Sequence, residues 1–252
     1  MKKHFIQLKN QVRTFKNAHH PLLRALYWTL KKPFEIKSFL MDGSHRSVVM
    51  TKLLARQQAH QLVNYTAPHR YPAVFRACAE YFAAAQPLTL LSFGCSTGEE
   101  VFSLREYFPH AELVGVDINR RNIRVARASR QKDARMNFYT ELPEQGQYDA
   151  IFCMAVLQRT ENRLPDTTDS SQIYPFHRFD AQVVMLDARL NVGGLFVIDH
   201  ADYRFEDTRV AAKYQPLDNP PRIQRARPIF DRNNQRSLIP YDNPRVFKKI
   251  VV

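Results

Sequence analysis

The chain has 252 residues, 44% of them hydrophobic, and 37 Lys and Arg against 24 Asp and Glu, a net charge of +13. That length and apolar content specify a folded core rather than a disordered chain. No apolar run approaches the roughly 20 residues needed to span a bilayer, and the basic start lacks the uncharged core and cleavage site of a secretory signal. The three cysteines, Cys78, Cys95 and Cys153, form no CxxC or Cys/His spacing, so neither a disulfide framework nor a metal site is expected, and a reducing cytoplasmic setting fits best.

Residues 1 to about 70 read as a basic helical region. Within residues 1–37, nine Lys and Arg face the single acid Glu35, a net +8 of the total +13. Pro21 opens a helical pattern in which Leu22, Leu23, Leu26, Tyr27 and Leu30 share a face. Further helical patterns run over 47–63 and 71–85. Basic residues interleaved with Phe5, Phe15, Tyr27, Trp28 and Phe34 suit three roles: a cap roofing the site, an anionic membrane surface at the inner face of a membrane, or nucleic acid. No RNA-binding signature is visible, which ranks nucleic acid last.

Residues 71–252 read as an α/β domain with a variable C-terminal extension. The runs 88–93, 112–117, 136–139, 148–154 and 194–199 are predicted strands, with helices over 99–108, 119–129 and 179–190 between them. This alternation predicts a mostly parallel sheet with helices on both faces. Residues 160–178 are polar and rich in turn formers and read as a loop or lid. Two further strands are expected at 226–231 and 245–252, completing a seven-stranded sheet.

Five of only seven glycines fall in the loop after the first strand, in the second strand and just before the last parallel strand: Gly94, Gly98, Gly115, Gly193 and Gly194. Gly94 would let a ligand lie against the backbone, and Thr97 is placed to cap the following helix. A dinucleotide fingerprint beginning at Gly94 would need glycine at Ser96 and Glu99, and a phosphate loop would need a Gly-Lys-Ser/Thr ending. Glu99 instead suits an amino acid's ammonium group. Asp117 closes the second strand 19 residues after Gly98, where a carboxylate accepts hydrogen bonds from ribose or caps the next helix. An aminoacyl group joined to a ribose describes S-adenosylmethionine.

The segments SFGCSTGEE, VDIN, YDAIFCMAVL and LNVGGLFVIDH resemble the successive motifs of class I S-adenosylmethionine-dependent methyltransferases with a Rossmann-like fold. GCSTGEE is similar to the loop of the CheR-type chemotaxis protein methyltransferases, and IFCMAVL to their IFCRNVL segment. The resemblance covers about residues 70–200. It implies that Phe93, Gly94, Cys95, Ser96, Gly98 and Ile118 line the cofactor, that Glu99 contacts its amino group and Asp117 its ribose, and that Glu141 and Leu142 lie at the adenine. Met154 stands where that family has an arginine near the cofactor. The substructure that CheR-type enzymes insert before the third strand is absent, since Ser129 leads directly to Met136. The cofactor chemistry is therefore carried over and the receptor substrate is not.

Methyl transfer from a sulfonium is an in-line displacement, and an O or N nucleophile needs a base for its proton. His200, just past the last parallel strand, is the first candidate, with Tyr203 and His177 behind it. The expected reaction is transfer to an O or N atom of a small molecule, glycan or lipid-linked intermediate. The alternatives are a protein or RNA methyltransferase, and a non-catalytic member that binds the cofactor or a partner.

Overall fold

The computed structural model describes residues 31, 35–55, 59–61, 66–83, 87–130, 133–159, 166–217, 228–238 and 245–252. The chain divides into two compact units, Met1–Leu54 and Ala55–Val252. In the first, helix α1 (Gly43–Leu54) starts where Asp42 accepts the backbone N–H groups of Ser44 and His45 at 2.8 and 3.3 Å. The helical pattern from Pro21 lies outside the described residues, as do most of the basic residues of 1–37.

The second unit contains α2 (Pro72–Tyr81), β1 (Thr89–Phe93), α3 (Glu99–Tyr107), β2 (Glu112–Val116), α4 (Arg120–Ser129), β3 (Met136–Tyr139), β4 (Tyr148–Met154), α5 (Phe176–Asp187), β5 (Leu190–Asp199), β6 (Tyr214–Pro216) and β7 (Val246–Lys249). The strands form one sheet in the order β3-β2-β1-β4-β5-β7-β6. Pairs among β1 to β5 are parallel, and β7 runs antiparallel to both β5 and β6.

Side chains alternate across the strands and separate two cores. Leu90, Phe152, Leu195 and Val197 face one cluster with Phe75 of α2, Leu104 of α3 and Ile123 of α4. Leu91, Ile151, Cys153 and Phe196 face the other, with Phe179 and Val183 of α5. Helices thus cover both faces, as the alternation of elements predicts.

Several boundaries differ from the sequence reading: the helical patterns at 47–63 and 71–85 appear as Gly43–Leu54 and Pro72–Tyr81, and the last strand is Val246–Lys249. α5 occupies 176–187 rather than 179–190, because β5 begins at Leu190. Between Tyr148↔Leu190 and Ala150↔Leu195 the register shifts, and Gly193 (φ 83°) and Gly194 sit in that bulge. A Cβ on Gly194 would lie 2.8 Å from the carbonyl oxygens of Asn191 and Asp149, so only glycine fits. Over 226–231, residues 226 and 227 fall outside the described set and Phe230 makes only isolated bridges, to Tyr203 and Arg236. The sixth strand is Tyr214–Pro216 instead. Pro216 ends it at the sheet edge, where a missing N–H breaks no ladder bond.

Gly115 is fixed by packing. A Cβ there would stand 2.6 Å from Phe138 Cδ1 and 2.9 Å from Cys95 Sγ. Gly115→Ala is expected to cost about 1–3 kcal/mol, read as a lower urea midpoint at unchanged slope, because neither buried neighbour can withdraw freely. A midpoint equal to wild type would refute this.

Candidate functional site at the carboxyl end of the sheet

The carboxyl ends of β1, β2, β4 and β5 meet at the point where strand order reverses, the place where open α/β sheets bind ligands. Three non-glycine residues take positive φ just past these ends: Ser96 (51°) after β1, Ala155 (63°) after β4 and His200 (53°) after β5. Such conformations cost about 1 kcal/mol or more each and persist only where surroundings fix them. Their concentration on one rim marks it as a site.

The turn after β1 is tied to β2. Gly94 and Cys95 N–H groups donate to Val116 O at 2.7 and 2.9 Å, and Gly98 N–H donates to Cys95 O at 3.0 Å. Ser96 N–H donates to Asp117 Oδ2 at 2.9 Å. Gly94 (φ 80°) and Gly98 (φ 98°) supply the left-handed backbone this needs. The close approach at Gly94 is to protein: an added Cβ would meet Val156 Cγ2 at 2.4 Å. Cys95 points its side chain into the core against Phe138, and burial pushes its thiol well above the ordinary range. Phe93 packs partly buried on the α5 side of the sheet.

Gly98, not Thr97, occupies the N-cap position of α3, and no side chain caps it. Thr97 Oγ1 instead donates to the Glu99 carboxylate, 2.7 Å from both oxygens. The first helical bond is Phe102 N–H to Gly98 O, so the N–H groups of Glu99, Glu100 and Val101 have no intrahelical acceptor and face the turn. Glu100, which the sequence reading leaves without a role, is partly buried, and its Oε1 accepts from Ser92 Oγ at 2.7 Å. Burial pushes its carboxyl up to about 7, against the Ser92 hydrogen bond and the Arg70 charge.

Asp117 lies directly after β2. Its Oδ1 accepts from Asn119 N–H at 2.8 Å and Asn122 Nδ2 at 3.4 Å, and its Oδ2 from Ser96 N–H. Burial raises its pKa, opposed by these donors. The cap of α4 is Asn119, whose side chain accepts from Arg121 and Asn122 N–H. Ile118 is half-buried beside it, and Glu141 is exposed and Leu142 half-buried just past β3. Met154 ends β4, buried and in register with Asp199.

On the other side, His200 Nδ1 lies 3.2 Å from Asp199 Oδ2 and 3.3 Å from Tyr71 Oη. Tyr203 is corrected as a base candidate. It is buried, and its hydroxyl is engaged with Ser170 Oγ (2.6 Å), Tyr174 O (2.5 Å) and Asn234 Oδ1 (3.0 Å), joining three segments of chain. Burial also raises its pKa further out of reach. His177 is exposed on the first turn of α5, and no described contact joins it to His200 or the cofactor turn.

The structure adds a group the sequence reading misses. His60 Nδ1 and Nε2 lie 2.6 Å from Tyr174 Oη and 2.8 Å from Gln182 Oε1, and its ring packs edge-on to Phe93 at 6.5 Å. Burial depresses its pKa to about 4, so it is neutral at physiological pH. Arg159 and Arg178 both donate to Ala59 O, and Gln61 Nε2 donates to Ala155 O at 3.4 Å. Residues 59–61 and 170–178 are thereby drawn together beside the ends of β1 and β4. No periodicity or spacing in the sequence connects His60 to Tyr174, 114 residues away.

Residues 91–170 match the family model described as a methyltransferase domain. No curated protein matches the chain. Among solved structures it is similar to the StiE O-MT fragment (22% identity, covering 47% of this chain and 40% of that one, TM-score 0.34). It is also similar to the plantazolicin methyltransferase BpumL in complex with SAH (17%, 66% and 59%, TM-score 0.38). A third is an amino pentose methyltransferase from Micromonospora echinaspora involved in calicheamicin biosynthesis (22%, 50% and 48%, TM-score 0.35). The chain spans 40% to 59% of the length of these three proteins, and a likeness this loose assigns no residue and no substrate.

The matched segment spans the turn after β1, Asp117 after β2 and the end of β4, the parts of the sheet that form this rim. The residues present would fit S-adenosylmethionine as a methyl donor: a left-handed turn opening on helix N–H groups without an intrahelical acceptor, an acid in that first turn, and a desolvated carboxylate at the tip of β2.

Proposed function

We propose that this domain methylates an O or N atom of a small-molecule acceptor, a glycan or lipid-linked intermediate included. The observation that supports the acceptor class is the polar cluster of residues 59–61 and 170–178 beside the rim, where Tyr174 is fully buried against His60 and so narrows the approach along the ends of β1 and β4.

Bound S-adenosylmethionine supplies a methyl group activated by its sulfonium. The remaining work falls to the chain. Glu99, held by Thr97, receives the donor's ammonium group, as the CheR-like loop implies. Asp117 accepts a ribose hydroxyl through the lone pair that its three internal donors leave on Oδ2. Phe93, Gly94, Cys95, Ser96, Gly98 and Ile118 form the wall of the donor site, Cys95 through its backbone, with Glu141 and Leu142 at the adenine and Met154 at the end of β4. His200 takes the acceptor's proton.

Titration calorimetry with S-adenosylhomocysteine tests the donor site. Binding is expected in the wild type, and Glu99→Ala is expected to weaken it about tenfold through loss of one charge-assisted hydrogen bond. No heat of binding at millimolar ligand would reject the reading.

A second reading, an RNA acceptor, draws on α4. That helix carries Arg120, Arg121, Arg124 and Arg127 and no acid. Arg127, however, is committed to Phe138 O at 3.0 and 2.7 Å, where it covers the exposed edge of β3, so part of this charge has a structural use.

A further inference from the structure

We propose that Asp199 and Tyr71 are positioning residues that hold His200 with its proton on Nδ1, leaving Nε2 as the acceptor for the proton released in methyl transfer. This rests on the reading of His200 as the base and names what makes it one.

His200 is held at φ 53°, a conformation a β-substituted residue adopts only under constraint. Two constraints are visible. Its N–H donates to Asp199 Oδ1 at 2.8 Å, so one carboxylate fixes the main chain of the residue after it. Its ring packs edge-on to Tyr71, with centroids 6.1 Å apart and planes at 61°. Asp199 comes from the end of β5 and Tyr71 from the start of α2, so the ring is set by two separate elements.

The tautomer follows from charge. Asp199 has no side-chain exposure, and its Oδ2 lies 3.2 Å from His200 Nδ1 and 3.5 Å from Arg245 Nη1. The guanidinium, itself buried, keeps the carboxylate ionised. A lone pair on Nδ1 facing that anion would be repelled, whereas an N–H there is attracted. Nδ1 therefore carries the proton, and Tyr71 Oη at 3.3 Å accepts it. Tyr71 is 6% exposed, which shields this side of the ring from water, while the His200 side chain keeps 18% exposure. Among the described contacts, the charged groups facing the ring are Asp199 and, behind it, Arg245. Arg70 stands over the Tyr71 ring at 5.2 Å.

In the transfer step the acceptor atom forms its bond to the methyl carbon as the methyl–sulfur bond breaks, with the electron pair going to sulfur. The acceptor's proton passes to Nε2. The resulting imidazolium is stabilised by Asp199 and returns its proton to solvent.

Long-range ¹H–¹⁵N NMR of protein labelled in its histidine nitrogens reads this without an acceptor substrate, with His200→Gln assigning the signals. The neutral His200 ring is expected as the Nδ1–H tautomer, and an Nε2–H ring would overturn the proposal. Asp199→Asn is expected to lower the His200 pKa by about one unit, a tenfold weaker proton affinity, because the anion beside the imidazolium is gone. An unchanged pKa would also overturn it. Should that variant not fold, Tyr71→Phe removes only one hydroxyl and is expected to shift the ring towards the Nε2–H tautomer. Unchanged tautomer populations there would remove Tyr71 from the proposal. S-adenosylhomocysteine affinity is expected to stay within twofold in both variants. Failure of the donor reading would appear as no binding in the wild type, and failure of this inference as the wrong tautomer.

Discussion

Asp117→Ala is expected to reduce S-adenosylhomocysteine affinity by about 10- to 100-fold and to lower stability by about 2–4 kcal/mol. The two losses have different sources. For affinity, the three internal donors leave Asp117 about one of its four lone-pair sites, so one ribose hydroxyl donates there, worth about 1.5–3 kcal/mol when charge-assisted, and each 1.4 kcal/mol is tenfold. For stability, the carboxylate joins the β1 turn to the start of α4 through Ser96 N–H, Asn119 N–H and Asn122 Nδ2. Alanine leaves those donors without an acceptor, at about 1–3 kcal/mol for any that stays buried. Asp117→Asn should stabilise little better, since its NH₂ group must face Ser96 N–H or Asn119 N–H, and both are donors. Calorimetry gives the affinity and urea unfolding the stability. A variant that is destabilised yet binds at wild-type affinity would leave Asp117 a structural tie only.

That double duty shows why parts of this site are legible in the sequence and others are not. The strands β1, β2, β3 and β4 are readable because their apolar runs are short and bounded by turn formers, and the structure places each within a residue of the expected limits. The glycines are readable as positions where a side chain cannot fit, but not for what occupies the space. Gly94 suggests a ligand against the backbone, and Val156 fills that place. Thr97 and Asp117 read as caps by residue type, yet Gly98 and Asn119 take the cap positions, because Thr97 is drawn to Glu99 and Asp117 to Ser96. In each case a side-chain hydrogen bond across the turn outcompetes the local one that propensity anticipates.

Long-range partnerships lie further from reach. The position of His200 just past the last parallel strand is readable from the sequence. Asp199 precedes it in plain view, but Tyr71 arrives from 129 residues away. The expected strand at 226–231 carries a Pro228 that breaks a ladder, and the edge is built instead by three residues, too few for a periodic signal. Tyr203 shows the converse failure. A tyrosine after a strand end is chemically eligible as a base, and only burial together with Ser170 and Asn234 reveals it as a strut.

Glu100→Gln is expected to stabilise the protein at pH 8 and to have little effect near pH 4.5. Glu100 is protonated up to about pH 7 in the folded protein, against 4.5 for an ordinary side chain, because burial disfavours its charge. Between those values the folded state binds the extra proton, so stability falls as pH rises from 4.5 to about 7 and stays low above it. At roughly 1.4 kcal/mol per pH unit, the penalty above pH 7 is on the order of 3 kcal/mol. Glutamine carries no charge to desolvate and keeps an oxygen to accept from Ser92 Oγ, so it escapes the penalty without losing the hydrogen bond. The corresponding rise in melting temperature at pH 8 is about 6–12 °C for a chain of this size. Thermal melts of both proteins at pH 5 and pH 8 would show it, and a gain equal at the two pH values, or a loss at pH 8, would contradict the assignment. A stabilising substitution inside the donor loop implies that the acid is retained for something other than the fold. Its neighbour Glu99 faces the proposed ammonium site, and a second carboxylate one residue on adds negative potential to the same helix turn. Glu100→Gln is therefore also expected to weaken S-adenosylhomocysteine binding by a few-fold at pH 8 and not at pH 5, where the wild-type carboxyl is itself neutral.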